Sequence, residues 1–303
     1  VLMHCENEDC GLDDGAAYDL SLADRWIIGQ LQLTEAAVQR AMSQYRFDHA
    51  SQALYSFIWN EYCDWYLELS KPVLWDETSP AEAKRGTRRT LIRDLEAWLR
   101  LLHPFMPFIT EEVWQSVAPL AGKTGDTIML QPYPRADAQR VDSAANTAIE
   151  WLKDFVQSVR NIRGEMSLPP GKVLPLVLRN GSASDRDLVA RLSPLIVQLA
   201  RVETPRWLAE EETAPPSATG LCGELELLVP LAGFIDRDEE LRRLDKEIAK
   251  LQADIERISA KLSNEQFTAR APEAVVDKEK QKLAGQQQAL AKLLEQRERI
   301  SAV

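Results

Sequence analysis

The sequence predicts a mainly α-helical protein, with an antiparallel helical bundle, a small α+β linking domain and a C-terminal antiparallel coiled-coil hairpin. Long segments whose apolar residues are spaced three and four apart follow one another through short connections, a pattern typical of antiparallel helices. Towards the end of the chain this spacing becomes an unbroken heptad register, the pattern of a coiled coil. The register consists of Leu241, Leu244, Ile248, Leu251, Ile255, Ile258 and Leu262.

Changes of composition divide the 303 residues into four parts. Residues 1–20 form an irregular, acidic lead-in, and residues 21–167 form the helical bundle. A Pro/Gly-containing segment at 168–171 interrupts the helical pattern and opens the small α+β domain, which extends over residues 168–235. Residues 236–303 form the coiled-coil arm.

Five helices are predicted in the bundle. Ser21 and Asp24 have the spacing of a capping box, and Ser79 is expected to cap the third helix with Pro80 in its first turn. The second helix carries too many aromatic residues for one stripe, so we expect it at the centre of the bundle. The helices are expected over residues 21–45, 48–75, 80–103, 107–120 and 143–166.

The linking domain is predicted to combine three strands with one helix. The strands are expected over residues 173–178, 202–208 and 224–231, and the helix over residues 184–199. The Pro/Ser/Thr-rich segment 213–219 is interpreted as a loop.

The arm is predicted to fold back on itself. Turn-forming residues at 264–272 precede a second helical run, whose apolar residues are Val276, Leu283, Leu290, Leu293 and Ile300. One arm alone would leave its apolar stripe in water, so the second arm is expected to cover it. Because Glu279, Gln286 and Arg297 occupy seam positions, we expect looser packing along the second arm.

Composition restricts the classes of function. A net charge of −11 argues against indiscriminate binding to nucleic acid. The sequence has no apolar run of membrane-spanning length and no secretory signal, and a start at Val1 is expected of a fragment. The four cysteines lack zinc-site spacing, so we expect free thiols and no metal. No grouping of Ser, Cys and His indicates catalytic residues.

Two basic faces are candidate binding surfaces. The first is a row on the third helix, formed by Arg85, Arg89, Arg93 and Arg100. Such a row suits a phosphate backbone, although a solvated helix face is the slightly favoured alternative. The second lies at outward heptad positions of the first arm and is formed by Arg243, Lys246, Lys250 and Arg257. Contact with a polyanion and the ordinary charged surface of a coiled coil explain it equally well.

The second helix contains the segment Trp59-Asn60-Glu61-Tyr62-Cys63-Asp64-Trp65-Tyr66-Leu67-Glu68, which resembles the anticodon-binding bundle of valyl-tRNA synthetases. Segments 22–26, 102–114 and 129–134 support the resemblance, and the arm is similar to the coiled-coil arm of the valyl branch. The Leu-His-Pro pattern within 102–114 is shared with isoleucyl and leucyl relatives, whereas the tryptophan-rich segment is more discriminating. The resemblance covers essentially the whole chain.

The resemblance implies a tRNA-recognition role within a ligase. In the family, the full-length enzyme uses ATP to join valine to tRNA(Val), and a separate domain hydrolyses mischarged threonine. The catalytic signature motifs are not found in these residues, so we expect no active site and no cofactor here, with ATP bound only by the full-length enzyme. We expect a cytoplasmic monomer whose partner is tRNA(Val), with no membrane contact.

The resemblance also implies where the tRNA binds. It places an anticodon contact at Leu67 and contacts with the outer corner of the tRNA at Arg257 and Lys282. Tyr66, with Arg89 and Arg93 of the first basic face, is expected to join the anticodon site. Arg243 and Lys250 of the second basic face are expected to join the corner contacts. Trp65 is favoured as a core residue of the bundle.

Two alternatives stay open. An isoleucyl-type sibling is expected to end in a cysteine-rich zinc module, and Cys222 stands alone in the second half of this sequence. A non-catalytic scaffold protein would dimerise through residues 236–303 instead of folding them into a hairpin.

Overall fold

The computed structural model describes residues 1–12, 15–166, 168–209, 212–230, 237–263 and 273–301. As expected, the fold is mainly α-helical with a small α+β part, whose sheet has four strands instead of the three predicted. The chain forms two compact units. One comprises Val1–Val156 with Leu188–Leu199, and the other comprises Gln157–Asp187 with Ala200–Val303.

All five predicted bundle helices are present, and most of their ends fall within a turn of the predicted positions. The helices up to residue 165 are α1 (Leu2–Cys5), α2 (Leu22–Ser43), α3 (Phe47–Tyr55), α4 (Leu67–Trp75), α5 (Ala81–Leu102), α6 (Pro107–Val117) and α7 (Ser143–Glu165). The predicted second helix is α3 and α4 joined by a π-helical segment, Ser56–Tyr66, whose wider turns hold most of the aromatic residues.

The two predicted helix caps have different outcomes. Ser21 forms the expected capping box at the start of α2, where its hydroxyl accepts from Asp24 N at 3.1 Å and Asp24 Oδ2 accepts from Ser21 N at 2.9 Å. The Ser79 cap is wrong, because α5 begins one residue later and has no side-chain cap. Ser79 instead closes a turn, in which its N–H donates to the carbonyl of Asp76.

Asp24 also organises the core of the first unit. Its carboxylate accepts hydrogen bonds from the Tyr66 hydroxyl at 2.6 Å and from the Thr87 hydroxyl at 3.0 Å, which joins α2, the π-helical segment and α5. Trp26, Tyr62 and Trp114 are buried in the same unit. Burial raises the pKa of Asp24, and these hydrogen bonds oppose that rise by stabilising the carboxylate.

Gly86 on α5 faces the backbone of Asp19 at close range. A Cβ added at Gly86 would overlap the Asp19 carbonyl oxygen and lie 2.7 Å from its carbonyl carbon. We expect Gly86→Ala to destabilise the protein by about 1–3 kcal/mol despite the better helix propensity of alanine, because backbone atoms must move. Urea denaturation measures this. Gly164→Ala is the control, since nothing lies within 4 Å of its added Cβ, and equal stability of both variants would contradict the prediction.

The sheet of the second unit has strand order β2-β1-β4-β3. Its strands are β1 (Val177–Arg179), β2 (Arg206–Trp207), β3 (Ser217–Cys222) and β4 (Leu225–Pro230). β1 is parallel to β2 and antiparallel to β4, and β3 and β4 form a hairpin. The predicted helix of this domain is α8 (Ala183–Ala200). The first unit includes α7 up to Val156 and α8 from Leu188 to Leu199, and the remaining residues of both helices belong to the second unit.

The loop predicted at 213–219 is partly wrong, because β3 begins at Ser217. The strand has no regular apolar alternation, and its hydrogen bonds come from pairing with β4 along its whole length. Gly220 of β3 packs closely against α7. A Cβ added there would overlap Ser158 Oγ and lie 3.0 Å from Ile162 Cδ1. Strand formation here depends on tertiary packing that local composition does not reveal.

The guanidinium of Arg163 joins the end of α7 to two chain segments of the second unit. It donates to the carbonyls of Pro169 at 3.2 Å, Lys172 at 2.8 Å, Ala200 at 3.0 Å and Arg201 at 2.6 Å. Only 8% of the residue is exposed. The group therefore stabilises this part of the unit through four backbone acceptors.

The arm consists of α9 (Arg237–Ser263) and α10 (Glu273–Ser301), which pack against each other. Ion pairs Lys261–Glu279 and Asp245–Arg297, both 2.6 Å long, show that the helices are antiparallel, as predicted. The predicted turn at 264–272 lies outside the described residues.

The seam of the arm combines apolar and polar contacts. Ile248 and Ile258 are buried, while the seam residues Glu279 and Arg297 form the ion pairs that join the helices. The Oε1 atom of Gln286 is buried without a hydrogen-bond partner among the described residues. The polar seam residues predicted for the second arm are therefore present, and the looser packing expected from them stays a prediction.

Cys5, Cys10 and Cys222 are buried, Cys63 is half-buried, and none of the four forms a disulfide bond within the described residues. Within the described ranges, no helix is both long and apolar enough to cross a membrane.

Candidate nucleic-acid interface

The arginine row on α5 mainly binds the protein itself. Arg85 pairs with Asp9 at 2.5 Å and donates to the carbonyl of Ala17, and Arg100 binds both carboxylate oxygens of Glu96 at 2.8 Å. Arg89 donates to the carbonyl of Gly11 and its guanidinium lies 4.7 Å from the Tyr18 ring centroid. Arg85 and Arg89 therefore anchor the segment before α2, whereas Arg100 pairs with a residue of its own helix. Neither interpretation given above for the row predicts these contacts.

Two of the residues expected at the anticodon site differ in accessibility. Tyr66 is fully buried, and its hydroxyl donates to Asp24, so its ring is not available to stack on a base. Burial is the main cause of the raised pKa of Tyr66. Leu67, at the start of α4, is half-buried. Trp65, favoured as a core residue, is also half-buried, with Lys153 Nζ 5.9 Å from its ring.

Exposed aromatic side chains were missed at the sequence level. Trp75 at the end of α4 is 60% exposed, with Lys71 Nζ 5.4 Å from its ring and the His4 ring 6.1 Å away. Tyr55 and Trp59 are also more than half exposed and stack with their centroids 6.4 Å apart and their planes at 9°. An aromatic face with a nearby cation is a suitable surface for an unstacked base. The helical spacing of these residues gives no sign of which ones reach the surface.

A cavity of about 990 Å³ lies in the first unit beside α2, α5 and the segment 121–140. Its floor contains Gln32, Glu35 and Asp94, all buried. The cations that line it are Arg89, Arg93, Arg100, Lys123, Arg135 and Arg140. Two of the residues predicted to contact the anticodon, Arg89 and Arg93, are therefore brought together here.

The floor of the cavity holds polar atoms without hydrogen-bond partners among the described residues. They are Gln32 Nε2, Glu35 Oε2 and Asp94 Oδ2. Burial raises the pKa of Asp94 to about 8, with Glu35 and Asp24 adding to the rise and Arg140 opposing it. Burial also raises the pKa of Glu35. The floor can therefore present both acceptors and carboxyl donors near neutral pH.

The arm exposes several of its predicted contact residues. Lys246 and Lys250 on α9 are exposed, and so is Lys282 on α10. The side chain of Arg257 is 76% exposed and pairs with Asp254 one turn away. The side chain of Arg243 lies outside the described part of the structure. The geometry thus leaves Lys246, Lys250, Arg257 and Lys282 exposed on an antiparallel hairpin.

Residues 24–178 match the family described as the anticodon-binding domain of tRNA ligase. The chain belongs to this tRNA ligase family. Residues 236–301 match a second family, described as the valyl tRNA synthetase tRNA-binding arm. The two matches support the resemblance to the C-terminal portion of a valyl-tRNA synthetase and a role for the chain in tRNA recognition.

The tRNA ligase domains contain every predicted contact residue. Leu67, Tyr66, Arg89 and Arg93 lie within the anticodon-binding match, and Arg243, Lys250, Arg257 and Lys282 lie within the arm. The exposed Trp75 and the Tyr55–Trp59 pair also lie within the anticodon-binding match. Which of these residues touch RNA stays a prediction.

Proposed function

We propose that this chain is the tRNA-recognition part of a valine–tRNA ligase, and that its partner is tRNA(Val). In this proposal the catalytic and editing domains lie elsewhere in the full-length enzyme, which uses ATP and acts in the cytoplasm as a monomer. The observation that carries the proposal is the match of residues 236–301 to a valyl-type tRNA-binding arm. The intrachain hairpin supports the monomer, since α9 and α10 cover each other.

The arm is proposed to bind tRNA through its phosphates. Lys246, Lys250 and Arg257 extend from the outer side of α9, away from the seam that Ile248 and Ile258 form with α10. Cations on an otherwise acidic chain, with a net charge of −11, direct a polyanion to a defined surface. Lys282 supplies a further exposed cation on α10.

The anticodon is proposed to bind the bundle by stacking. Trp75 offers an exposed ring next to Lys71, and the Tyr55–Trp59 pair offers a second stacked surface. Bases of a single-stranded RNA loop are commonly read when they are unstacked and held against aromatic side chains. Leu67 remains a candidate contact beside these residues, whereas Tyr66 acts as a core residue that positions α2 against α5.

The triple substitution Lys246→Gln, Lys250→Gln and Arg257→Gln tests the role of the arm. We expect tRNA(Val) binding to weaken about tenfold or more at low salt. We also expect the slope of log K against log salt to fall by about 2–3, because fewer counterions are released. Fluorescence anisotropy across a salt series measures both quantities.

A second triple variant serves as the matched control. Arg40→Gln, Arg46→Gln and Arg160→Gln remove the same charge from exposed positions outside the arm. Equal losses in the two triple variants would show that only net charge matters and would overturn the role of the arm. Equal affinity of the unaltered chain for tRNA(Val) and tRNA(Ile) would overturn the proposed valine specificity.

A further inference from the structure

We propose that the cavity beside α2 and α5 is a nucleotide-binding site, which takes a nucleoside 5′-phosphate with its base on the buried floor and its phosphate at the basic rim. The nucleotide has two sources, a free nucleotide or an unstacked residue of bound RNA. The RNA source rests on the proposed function; the free-nucleotide source does not. The site is distinct from the exposed aromatic surfaces assigned above to anticodon stacking.

The floor needs a ligand that offers both donors and acceptors. Gln32 Nε2 is a donor, while Glu35 Oε2 and Asp94 Oδ2 are carboxyl oxygens, and all three are buried without a partner among the described residues. A buried polar group without a hydrogen bond costs free energy, so the presence of three such groups favours a bound partner that satisfies them. The edge of a nucleobase carries amino, ring-nitrogen and carbonyl groups side by side and can meet this set.

Part of the floor is already held in position. Gln32 Oε1 accepts a hydrogen bond from Asp137 N at 2.7 Å, which orients the amide so that its nitrogen is left for another partner. Glu96, in the same lining, is occupied by Arg100 and by Trp114 Nε1 at 2.9 Å. The groups that remain for a ligand are therefore Gln32, Glu35 and Asp94.

The lining as a whole favours an anion. It contains six Arg or Lys residues and four Asp or Glu residues, on a chain whose net charge is −11. Lys123, Arg135 and Arg140 are exposed, which places three cations at the mouth beside the single exposed carboxylate of the lining, Asp137. The other carboxyl groups of the lining, on Glu35, Asp94 and Glu96, are buried on the floor. A ligand with a phosphate at one end and hydrogen-bonding groups at the other matches this separation of charge.

The size and walls of the cavity also fit a nucleotide. A volume of about 990 Å³ lies at the upper end of the range of small-molecule sites, and an amino acid would leave most of it empty. Leu31, Ala97 and Tyr133 supply apolar and aromatic wall surface against which a planar base can pack. The Tyr133 ring is fixed by a hydrogen bond from its hydroxyl to the carbonyl of Leu101 at 3.1 Å.

Calorimetric titration with AMP, GMP, CMP and UMP, and with inorganic phosphate as the base-free probe, tests the site. We expect at least one nucleotide to bind at least tenfold more tightly than phosphate. Glu35→Gln should weaken that nucleotide at least tenfold, because it changes a floor acceptor into a donor at constant shape. Arg135→Gln, at an exposed position where folding is not at risk, should weaken it several-fold. Glu112→Gln removes an exposed carboxylate outside the cavity and should leave the affinity unchanged.

The outcomes separate the two sources and the two proposals. If Glu35→Gln weakens a nucleotide but not tRNA, the site takes free nucleotides; if it weakens both, the site also takes an RNA residue. Binding of every nucleotide no tighter than phosphate, or binding that Glu35→Gln and Arg135→Gln leave unchanged, would overturn the site. Failure of the unaltered chain to bind tRNA would overturn the proposed function alone, since the nucleotide titrations do not depend on it.

Discussion

Replacing Arg163 with alanine is expected to destabilise the second unit by about 3–5 kcal/mol. The side chain is almost fully buried, and its guanidinium satisfies four backbone carbonyls, on Pro169, Lys172, Ala200 and Arg201. Truncation removes the guanidinium donor from all four. The carbonyls of Pro169 and Arg201 keep a hydrogen bond from the backbone N–H of Lys172 and Leu174, respectively. The carbonyls of Lys172 and Ala200 lose the donor that the side chain supplies, each at a cost of about 1–3 kcal/mol before relaxation and water entry reduce it. The expected loss is therefore large for a single residue.

Chemical denaturation, followed by far-ultraviolet circular dichroism, measures this loss. Arg163→Lys should recover only part of the stability, because one ammonium cannot reproduce the planar fork that reaches four carbonyls. Arg160→Ala, at an exposed position one turn earlier on α7, should change stability by less than about 0.5 kcal/mol. A loss for Arg163→Ala no larger than the loss for Arg160→Ala would contradict the assignment.

Stability is expected to fall as pH rises from 4 to 8, because of Asp94. The pKa of this carboxyl group is raised from 3.8 to about 8 by burial, with Glu35 and Asp24 adding to the rise and Arg140 opposing it. Between these two values the folded protein holds a proton that the unfolded chain releases, so raising the pH favours unfolding. The window of 3.8 to 8 corresponds to a cost on the order of 6 kcal/mol once Asp94 is ionised.

Urea denaturation at pH 5, 6, 7 and 8, followed by tryptophan fluorescence, measures this dependence. Asp94→Asn should lower the slope by up to about 1.4 kcal/mol per pH unit, the value for one proton, and Glu35 and Asp24 should supply the slope that remains. Asp126→Asn, at an exposed position, is the control. A free energy of unfolding for Asp94→Asn that falls as steeply as in the unaltered chain would rule out Asp94 as the source.

The helices of the bundle and the arm could be predicted because their signals are local. The spacing of apolar residues predicts α2, α5 and α7, and the heptad register predicts α9, because each pattern is repeated over several turns. The Ser21 cap is likewise local, since donor and acceptor lie three residues apart. β3 was not predicted, because it forms a strand only through its pairing with β4 and its close packing against α7 at Gly220.

The candidate site was harder to predict, since its properties depend on distant segments. Tyr66 and Trp75 belong to the same aromatic stretch, yet the first reaches Asp24 in the core and the second stays exposed. Arg89 lies on the predicted basic face, but its partner is a backbone carbonyl at Gly11, which has no signature in composition. The cavity is invisible at the sequence level for the same reason, because Gln32 and Asp94 meet only after folding.

The two ion pairs of the arm constrain how its length can change between related sequences. Asp245–Arg297 and Lys261–Glu279 fix the alignment of α9 against α10 at two levels. One residue inserted into α9 between these levels would rotate the following side chains by about 100° and advance them by about 1.5 Å, which removes one pair or the other from reach. A length change in one helix therefore calls for a matching change in its partner. Related sequences should therefore gain or lose residues in both helices together, or in the segment that connects them.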